Sequence, residues 1–224
     1  MTIEKKYTFD NRLHQSALNL AHRLMIPNSD YAESIVNSVY FDTRNREFLA
    51  EKENSDYLKC KIRLRWYDTD SNSTQGPRYF LEVKRKNGVR RDKARIDVTE
   101  HFFTNSVRRS LPLNLDQVNN LLREHVDGNF PKLMPLLLIR YNRRRFHTNL
   151  DHERVNVDWN ISAQGFPVRH NSRSSTQVLP SGVIEAKGSH FDARGPVSTL
   201  IKATKARKNA FSKYLVGYQF LEQI

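Results

Sequence analysis

Residues 58–67 alternate between apolar and basic side chains along almost their whole length. The apolar set is Leu58, Cys60, Ile62, Leu64 and Trp66, and the other set is Lys59, Lys61, Arg63, Arg65 and Tyr67. Side chains of a β-strand point alternately to opposite faces of its sheet. The pattern therefore predicts a strand that has one apolar face and one cationic face.

Four other segments repeat this arrangement, at residues 79–86, 89–98, 154–161 and 183–187. Their charged faces carry Glu82, Lys84 and Lys86; Arg91, Lys93, Arg95 and Asp97; Arg154, Asn156 and Asp158; and Glu185 with Lys187. One interpretation is that these are the solvated faces of an ordinary antiparallel sheet. However, cations dominate several of the faces, and neighbouring like charges repel each other unless an anion lies among them. The other interpretation is a closed barrel whose charged lumen holds a chain of phosphates.

The remaining patterns predict a mostly antiparallel sheet with a few helices, in a single domain that covers residues 1–224. Further strands are expected at residues 3–9 and 34–42, and helices at residues 11–25, 115–125 and 197–215. Asp10 is a suitable N-cap for the first helix. Residues 68–77 and 165–182, which are rich in small polar side chains, are expected to form loops.

The net charge of +13, from 37 basic and 24 acidic residues, predicts attraction to polyanions without saying which. A single cysteine fits a reducing compartment, and we find no zinc-ligand spacing. The chain has no signal peptide and no apolar run long enough to span a bilayer, so a cytoplasmic protein is expected. Phosphate-binding loops and dinucleotide-binding glycine motifs are also missing from the sequence.

Two acidic residues, Glu82 and Glu185, stand among the cations of these strands. Carboxylates beside phosphates are suited to holding Mg²⁺ or Mn²⁺, which prefer oxygen ligands and bridge phosphate groups. The alternative for each is a salt bridge with the neighbouring Lys84 or Lys187.

An ordered set of short motifs is similar to the VTC (vacuolar transporter chaperone) domain family, within the triphosphate tunnel metalloenzyme superfamily. The motifs are EKKY at 4–7, SVYFDT at 38–43, KIRLRWY at 61–67, FLEVKRK at 80–86, RYNR at 140–143, RVNVD at 154–158, VIEAK at 183–187 and FSKY at 211–214. Each motif alone is weak, whereas their order over nearly the whole chain is specific. The resemblance implies an α+β fold: a closed eight-stranded antiparallel barrel with helices outside and a C-terminal helix that closes one side.

The resemblance also implies an enzyme, a polyphosphate polymerase that transfers the terminal phosphate of ATP to a growing polyphosphate chain with Mn²⁺ or Mg²⁺. By motif position, the catalytic cations are expected to be Lys6, Arg63, Arg65, Lys84, Arg143, Arg154 and Lys213. Substrate binding is expected to involve Lys61, Lys86, Arg91, Tyr141 and Lys187. Glu185 is the expected metal ligand, with Glu82 as its partner. The expected partners are ATP and inorganic polyphosphate or triphosphate, and no nucleic acid.

The sequence departs from the family pattern at Ala210, where family polymerases often have a second lysine; Lys208 or Arg207 are candidates to replace it. The triphosphatase branch usually begins Glu-x-Glu-x-Lys, of which only Glu4 and Lys6 are present. Three alternatives stay open at this stage. They are a triphosphatase or polyphosphatase in the same tunnel, a non-catalytic module that binds polyphosphate or nucleotide, and a nucleic-acid binder that relies on net charge.

Overall fold

The computed structural model describes residues 3–29, 32–68, 77–99, 115–126, 130–148, 153–166, 176–188 and 195–223. Its eleven strands are β1 (Ile3–Asp10), β2 (Ile26–Pro27), β3 (Glu33–Thr43), β4 (Leu58–Asp68), β5 (Tyr79–Asn87), β6 (Arg90–Asp97), β7 (Leu133–His147), β8 (Arg154–Gly165), β9 (Thr176–Val178), β10 (Ser181–Gly188) and β11 (Arg207–Lys208). The helices are α1 (His14–Leu24), preceded by a 3₁₀ turn (Asn11–Leu13), α2 (Glu47–Glu53), α3 (Leu115–His125), α4 (Pro196–Ala203) and α5 (Lys213–Glu222).

All eleven strands belong to one antiparallel sheet. The main order is β11-β1-β10-β8-β7-β3-β4-β5-β6, with β2 beside β7 and β9 beside β8. The expectation of a closed eight-stranded barrel is therefore wrong in closure and in strand number, although the α+β class is correct. Within the described residues the order ends at β6 and at the two-residue strand β11. Strand β6 is mostly exposed and carries charges on both faces, which is typical of an edge strand.

The register of the strands places the charged faces on one side of this sheet. Residues directly opposite each other on antiparallel strands share a face. Arg63 on β4 lies opposite Tyr40 on β3 and opposite Glu82 on β5. In the other half of the sheet, Arg143 on β7 lies opposite Asp158 on β8. The charged side chains that alternate along each strand therefore lie together on one continuous surface.

The sheet curls so that this charged face is concave. Strands β1 and β4 are five positions apart in the strand order, a separation of roughly 24 Å in a flat sheet. Nevertheless, Lys6 on β1 and Lys61 on β4 line the same cavity. Side chains from distant strands therefore face each other across a shared interior.

The apolar outer face is covered by helices, as expected. In one half of the sheet, α1 and α4 pack against β1, β7, β8 and β10, with Ala17, Ala21 and Leu200 buried among Val155, Val157, Trp159 and Ile184. In the other half, α3 places Val118, Leu121 and Leu122 over the apolar side chains of β3, β4 and β5. These helices remove the outer face from water, and burial of apolar area is the main favourable contribution to folding.

Helix α5 instead packs inside the concave face, which agrees with the expected role of a C-terminal helix. Ser212 caps it by accepting a hydrogen bond from the Leu215 backbone N–H at 3.5 Å. Tyr214 is almost fully buried, and its hydroxyl donates to Asp42 Oδ2 at 2.5 Å. A Cβ atom at Gly217 would lie 2.6 Å from Ile139 Cδ1 and 3.3 Å from Ala163 Cβ. A residue without a side chain therefore allows the helix to approach β7 and β8 closely.

Two expectations about local structure are wrong. The apolar pattern of residues 197–215 predicts one helix, but α4 ends at Ala203 and α5 begins at Lys213. The chain between them adopts a left-handed conformation at Lys205, with φ of 51°, and then forms β11. The expected loop at 165–182 contains β9 and the start of β10. Most of the expected loop at 68–77 lies outside the described residues.

Asp10 caps the first helical turn as expected, because its side chain accepts a hydrogen bond from the Arg12 backbone N–H at 2.9 Å. Among the described residues, no helix combines the length and the apolar character needed to cross a membrane. The single domain over residues 1–224 and the cytoplasmic location stay predictions.

We expect Gly217→Val to destabilise the fold by about 1–3 kcal/mol, because overpacking would push α5 away from β7 and β8. Equilibrium unfolding in urea measures this change in the free energy of unfolding. The matched control is Gly165→Val, since a Cβ atom at Gly165 meets only Leu221 Cδ1, at 3.7 Å. Equal stability losses in the two variants would contradict the close packing of α5.

Candidate functional site

Glu82 is the centre of a first cluster of cations on the concave face. Arg63 donates to Glu82 Oε2 through Nε at 2.8 Å and Nη2 at 2.5 Å. Arg65, Lys93 and Arg95 approach the same carboxylate at 3.9, 3.9 and 3.6 Å. Burial would raise the pKa of Glu82, but the charges of Arg63 and Arg65 outweigh it and lower the pKa to about 2. Four cations therefore share one carboxylate, which leaves the cluster with excess positive charge.

A second cluster surrounds Asp158 and Glu185. Arg143 donates to both oxygens of Asp158, at 2.6 and 2.8 Å, and to Glu185 Oε2 at 3.3 Å. Lys213 Nζ lies 2.6 Å from Asp158, and Lys187 Nζ lies 2.8 Å from Glu185. Burial opposes ionisation of both carboxyls, but these cations hold both pKa values below their usual range. Both carboxylates are therefore ionised, and each of them is paired with two cations.

Two tyrosines join the clusters. The Tyr141 hydroxyl accepts a hydrogen bond from Arg65 at 3.5 Å, and its ring lies under Lys213 Nζ, 4.5 Å from the centroid. The Tyr40 hydroxyl accepts from Arg63 Nη1 at 3.2 Å. Both tyrosines are buried. Their hydroxyl groups orient the guanidinium groups by hydrogen bonds and add no further carboxylate to the clusters.

The charges on this face change the proton affinity of Tyr40. Burial alone would raise the pKa of the phenol. The positive charges of Arg63, Arg65 and Lys61 outweigh burial and lower the pKa of Tyr40 to about 7. The cations of the concave face therefore favour the ionised form of this phenol.

Two lysines of the concave face, Lys61 and Lys84, have lowered pKa values. Burial, together with the charges of Lys52 and Lys6, lowers the pKa of Lys61 to about 8 against the opposing effect of Tyr40. Partial desolvation, followed by the charge of Arg63, lowers the pKa of Lys84 to about 8, although the end of this side chain is exposed within the concave face. An anion bound beside either ammonium group would raise its pKa again.

The structure brings most of the sequence-predicted residues together on this face. Arg63, Arg65 and Glu82 form the first cluster, and Arg143, Lys187, Lys213 and Glu185 form the second, with Tyr141 between them. Lys6 lies opposite Glu185 and pairs with Glu4 at 3.3 Å. Lys61 and Lys84 lie opposite each other on β4 and β5.

Three predicted residues share the face without joining either cluster. Lys86 and Arg91 lie opposite each other on β5 and β6, and Arg154 lies opposite Lys187 on β10. In the described part of the chain none of the three takes part in the ion pairs around Glu82, Asp158 or Glu185. Their roles in substrate contact stay predictions.

Sequence reasoning missed Tyr40 and Asp158 as site residues. Asp158 was visible as the last charged residue on its strand face, but its pairing with Arg143 depends on the register of β7 and β8. Tyr40 lies on the same face of β3 as Ser38, in a segment without basic residues, so the cationic pattern of the other strands does not mark it. Its role becomes visible only when β4 places Arg63 beside it.

Glu185 and Asp158 are the carboxylates best placed to hold a divalent cation. Both contact the same Nη2 atom of Arg143, at 3.3 and 2.8 Å. Within the described residues no group of three acidic, histidine or cysteine side chains forms a metal site. The donor set fits a magnesium-like ion that takes one or two protein carboxylates and completes its coordination with phosphate oxygens and water. Glu82, the partner expected from the motifs, lies in the separate cluster around Arg63, and its role as a metal ligand stays a prediction.

The fold is shared with solved structures of very different sequence. The PH1819 protein from Pyrococcus horikoshii OT3 has a TM-score of 0.55 at 9% identity, over 99% of this chain and 98% of that chain. A Bacillus halodurans protein provisionally described as an adenylate cyclase has a TM-score of 0.52 at 10% identity, over 95% of this chain and 94% of that chain. At such low identity the likeness concerns the fold alone.

The family model for the VTC domain matches residues 2–222. The chain therefore belongs to the VTC domain family, which confirms the resemblance seen in its motifs. No curated protein sequence matches the chain at a significant level.

We expect the ligand-free protein to become more stable as the pH rises from about 7 to about 9, because of Tyr40 and Lys61. In the unfolded chain these groups lose their protons near 10.0 and 10.5, whereas in the folded protein they do so near 7 and 8. Over this range the unfolded state binds more protons, so the free energy of unfolding rises with pH. Thermal unfolding at low ionic strength should show Tm rising by a few degrees.

The double variant Tyr40→Phe/Lys61→Met removes these two titrating groups and should reduce the pH dependence, leaving the contribution of Lys84, whose pKa is also lowered to about 8. The appearance of tyrosinate absorbance near pH 7, absent from Tyr40→Phe, would identify the phenol directly. If wild type and variant have the same pH profile, these shifts in pKa are not present in solution.

Proposed function

We propose that this protein is a polyphosphate polymerase, which transfers the terminal phosphate of ATP to a polyphosphate chain on the concave face. The observation that carries the proposal is the excess of fixed cations over carboxylates in two connected clusters, one around Glu82 and one around Asp158 and Glu185. Membership of the VTC domain family supports the choice of phosphoryl transfer. The two solved structures support only the fold.

The arginines are suited to fixing phosphate groups in place. A guanidinium group offers two parallel N–H donors to a phosphate, which sets orientation as well as charge. The side chains of Arg63 and Arg143 are only 13% and 12% exposed, and two hydrogen bonds hold each of them to a carboxylate, so their planes are already oriented before substrate arrives. Pre-oriented donors need little reorganisation when charge moves in the transition state.

The chemical demands of phosphoryl transfer match these residues. The attacking and leaving oxygens must be roughly in line, and negative charge on the transferred group must be stabilised. Fixed cations on opposing strands can hold the donor and acceptor phosphates in line. This positioning would accelerate the reaction, because the reactants are already in the geometry of attack. An ionised phosphate chain needs no general base to attack, so a dedicated catalytic base is not required.

A divalent cation held by Glu185 and Asp158 would supply further charge neutralisation on the phosphates that it bridges. The protein residues would meanwhile position the phosphate chain. Lys213 holds Asp158 at 2.6 Å, and Lys187 holds Glu185 at 2.8 Å. Both lysines would be free to contact phosphate if a cation took over the carboxylates.

We expect Lys84→Ala to reduce polyphosphate synthesis roughly 10- to 1000-fold, since it removes a cation that faces the transferred group. Purified protein is incubated with ATP and Mn²⁺, and the products are resolved on a gel stained for polyphosphate. The control is Lys132→Ala, which removes an exposed lysine just before β7. Release of free phosphate without a polyphosphate ladder would instead identify a triphosphatase. If neither product forms, the remaining function is binding without catalysis.

We expect Glu185→Gln to weaken Mn²⁺ binding in the presence of tripolyphosphate by about tenfold or more, because it replaces a charged oxygen ligand with a neutral amide and even partners outside the coordination sphere matter by about tenfold. Electron paramagnetic resonance measures free Mn²⁺ directly and does not depend on turnover. The contrasting variant is Glu82→Gln. It should leave Mn²⁺ binding unchanged but lower the free energy of unfolding by about 3 kcal/mol, because it breaks a buried ion pair. Equal Mn²⁺ affinities for Glu185→Gln and wild type would remove Glu185 as a ligand.

A further inference from the structure

Asp42, near the end of β3, is a fully buried carboxylate whose contacts join two helices. Its Oδ1 atom accepts hydrogen bonds from the backbone N–H groups of Thr43 at 2.7 Å and Phe48 at 3.0 Å, and its Oδ2 atom accepts from that of Leu49 at 3.0 Å. The Tyr214 hydroxyl donates to the same Oδ2 atom at 2.5 Å. One carboxylate therefore caps the first turn of α2 and holds the first turn of α5.

The start of α2 needs an acceptor from elsewhere in the fold. The first N–H groups of a helix have no partner within the helix. Arg46, which precedes α2, has a left-handed backbone with φ of 59°, and its side chain makes no capping hydrogen bond. Asp42 supplies the missing acceptor from β3, and the three backbone donors fix the position of its carboxylate. Helix α5 is thus attached to a rigid point.

Tyr214 is the side chain of α5 that depends most on this attachment. Within α5, all ten residues of which the structure describes, the buried residues are Tyr214 and Gly217, and a glycine has no side chain. The apolar Leu215 and Val216 are only half-buried. Burial raises the pKa of Tyr214, and the charge of Asp42 raises it further. The phenol therefore keeps its proton and remains a hydrogen-bond donor.

Tyr214 touches one charged cluster and adjoins the other. Its ring stacks on that of Tyr40, with the centroids 4.7 Å apart and an angle of 18° between the planes. Tyr40 in turn accepts a hydrogen bond from Arg63 of the first cluster. Lys213, the residue before Tyr214, reaches Asp158 of the second cluster at 2.6 Å. A displacement of Tyr214 would consequently be felt in both clusters.

We infer that Asp42 is a positioning residue, which acts through Tyr214 to hold Lys213 in the second cluster. The inference rests on the proposed function, because Lys213 matters there as a cation that stabilises the transferred phosphate. Adjacent residues of a helix are separated by a rise of about 1.5 Å, so a shift at Tyr214 passes almost undiminished to Lys213. A misplacement of about 1 Å in a positioned group can reduce a rate about a hundredfold.

The first experiment measures how fast single lysines of the ligand-free protein are acetylated, by mass spectrometry. Tyr214→Phe removes the hydroxyl donor and keeps the ring that stacks on Tyr40. We expect Lys213, whose side chain is 11% exposed, to be labelled about fivefold faster in this variant, because its reactivity follows local opening of α5. Lys187 is the internal reference, since it pairs with Glu185 on β10 and has no attachment to α5. Its labelling rate should stay unchanged.

Tyr218→Phe is the matched control, because it removes a hydroxyl from the same helix. The Tyr218 hydroxyl contacts the exposed side chains of Arg46 and Glu222. This variant should leave the labelling of Lys213 at the wild-type rate. Acceleration of Lys213 and Lys187 together in Tyr214→Phe would mean general loosening of the fold and would overturn the inference. An unchanged rate at Lys213, or the same increase in Tyr218→Phe, would overturn it as well.

Asp42→Asn tests the carboxylate itself, because the amide presents N–H donors where Asp42 has an acceptor. We expect Lys213 to be labelled at least as fast as in Tyr214→Phe, with a lower Tm because α2 loses part of its cap. Combining the two substitutions should give no further acceleration, since both break the same contact. Independent, additive effects would show that Asp42 does not act through Tyr214.

Tripolyphosphate binding, measured by isothermal titration calorimetry, separates this inference from the proposed function. We expect Tyr214→Phe to lose about fivefold in affinity in the wild-type background and nothing further in a Lys213→Ala background. The same loss in both backgrounds, or an unchanged affinity despite faster labelling, would overturn the positioning of Lys213. If wild-type protein does not bind tripolyphosphate, the proposed function fails, and the labelling rates alone decide whether Asp42 holds Lys213 in place.

Discussion

Mutual repulsion among the cations of the concave face is the constraint on which the rest of the structure depends. Arginines and lysines from several strands point into one curved interior, where partial burial strengthens electrostatic interactions. Two features of the fold stabilise this arrangement in the absence of a ligand. Three carboxylates are each surrounded by several cations, and the apolar outer face is buried under α1, α3 and α4. The site is thus maintained by a core that lies on the opposite side of the sheet.

The alternation of side chains predicts which residues share the charged face, because successive side chains of a strand point to opposite faces in every sheet. It does not predict which residues meet, since that depends on register and curvature. Arg63 was identified from its motif, whereas Asp158 and Tyr40 gained their roles through partners on neighbouring strands. The open sheet was not foreseeable either, because closure depends on the edges of β6 and β11 rather than on patterning. The break near Lys205 was missed because the apolar spacing continues across it.

The acidic residues of the face have different roles that their sequence contexts do not reveal. Glu82 and Glu185 each stand two residues before a lysine, yet only Glu185 pairs with that lysine. Glu82 instead binds Arg63 from the adjacent strand and is encircled by three further cations. Glu82 is thus the counterion of four cations in the first cluster. Glu185 instead shares Arg143 with Asp158 in the second cluster.

The docking of α5 has a consequence for how the site assembles during folding. Its first residues touch three strands whose positions in the chain are very distant, and the contact between Lys6 and Phe211 spans 205 residues. Contacts of such sequence separation form late, because closing long loops loses the most chain entropy. Ser212 and Lys213 thus connect strands that are far apart in the chain, β4 and β8. Reversible fraying of this one helix would disconnect the halves again while leaving the sheet intact.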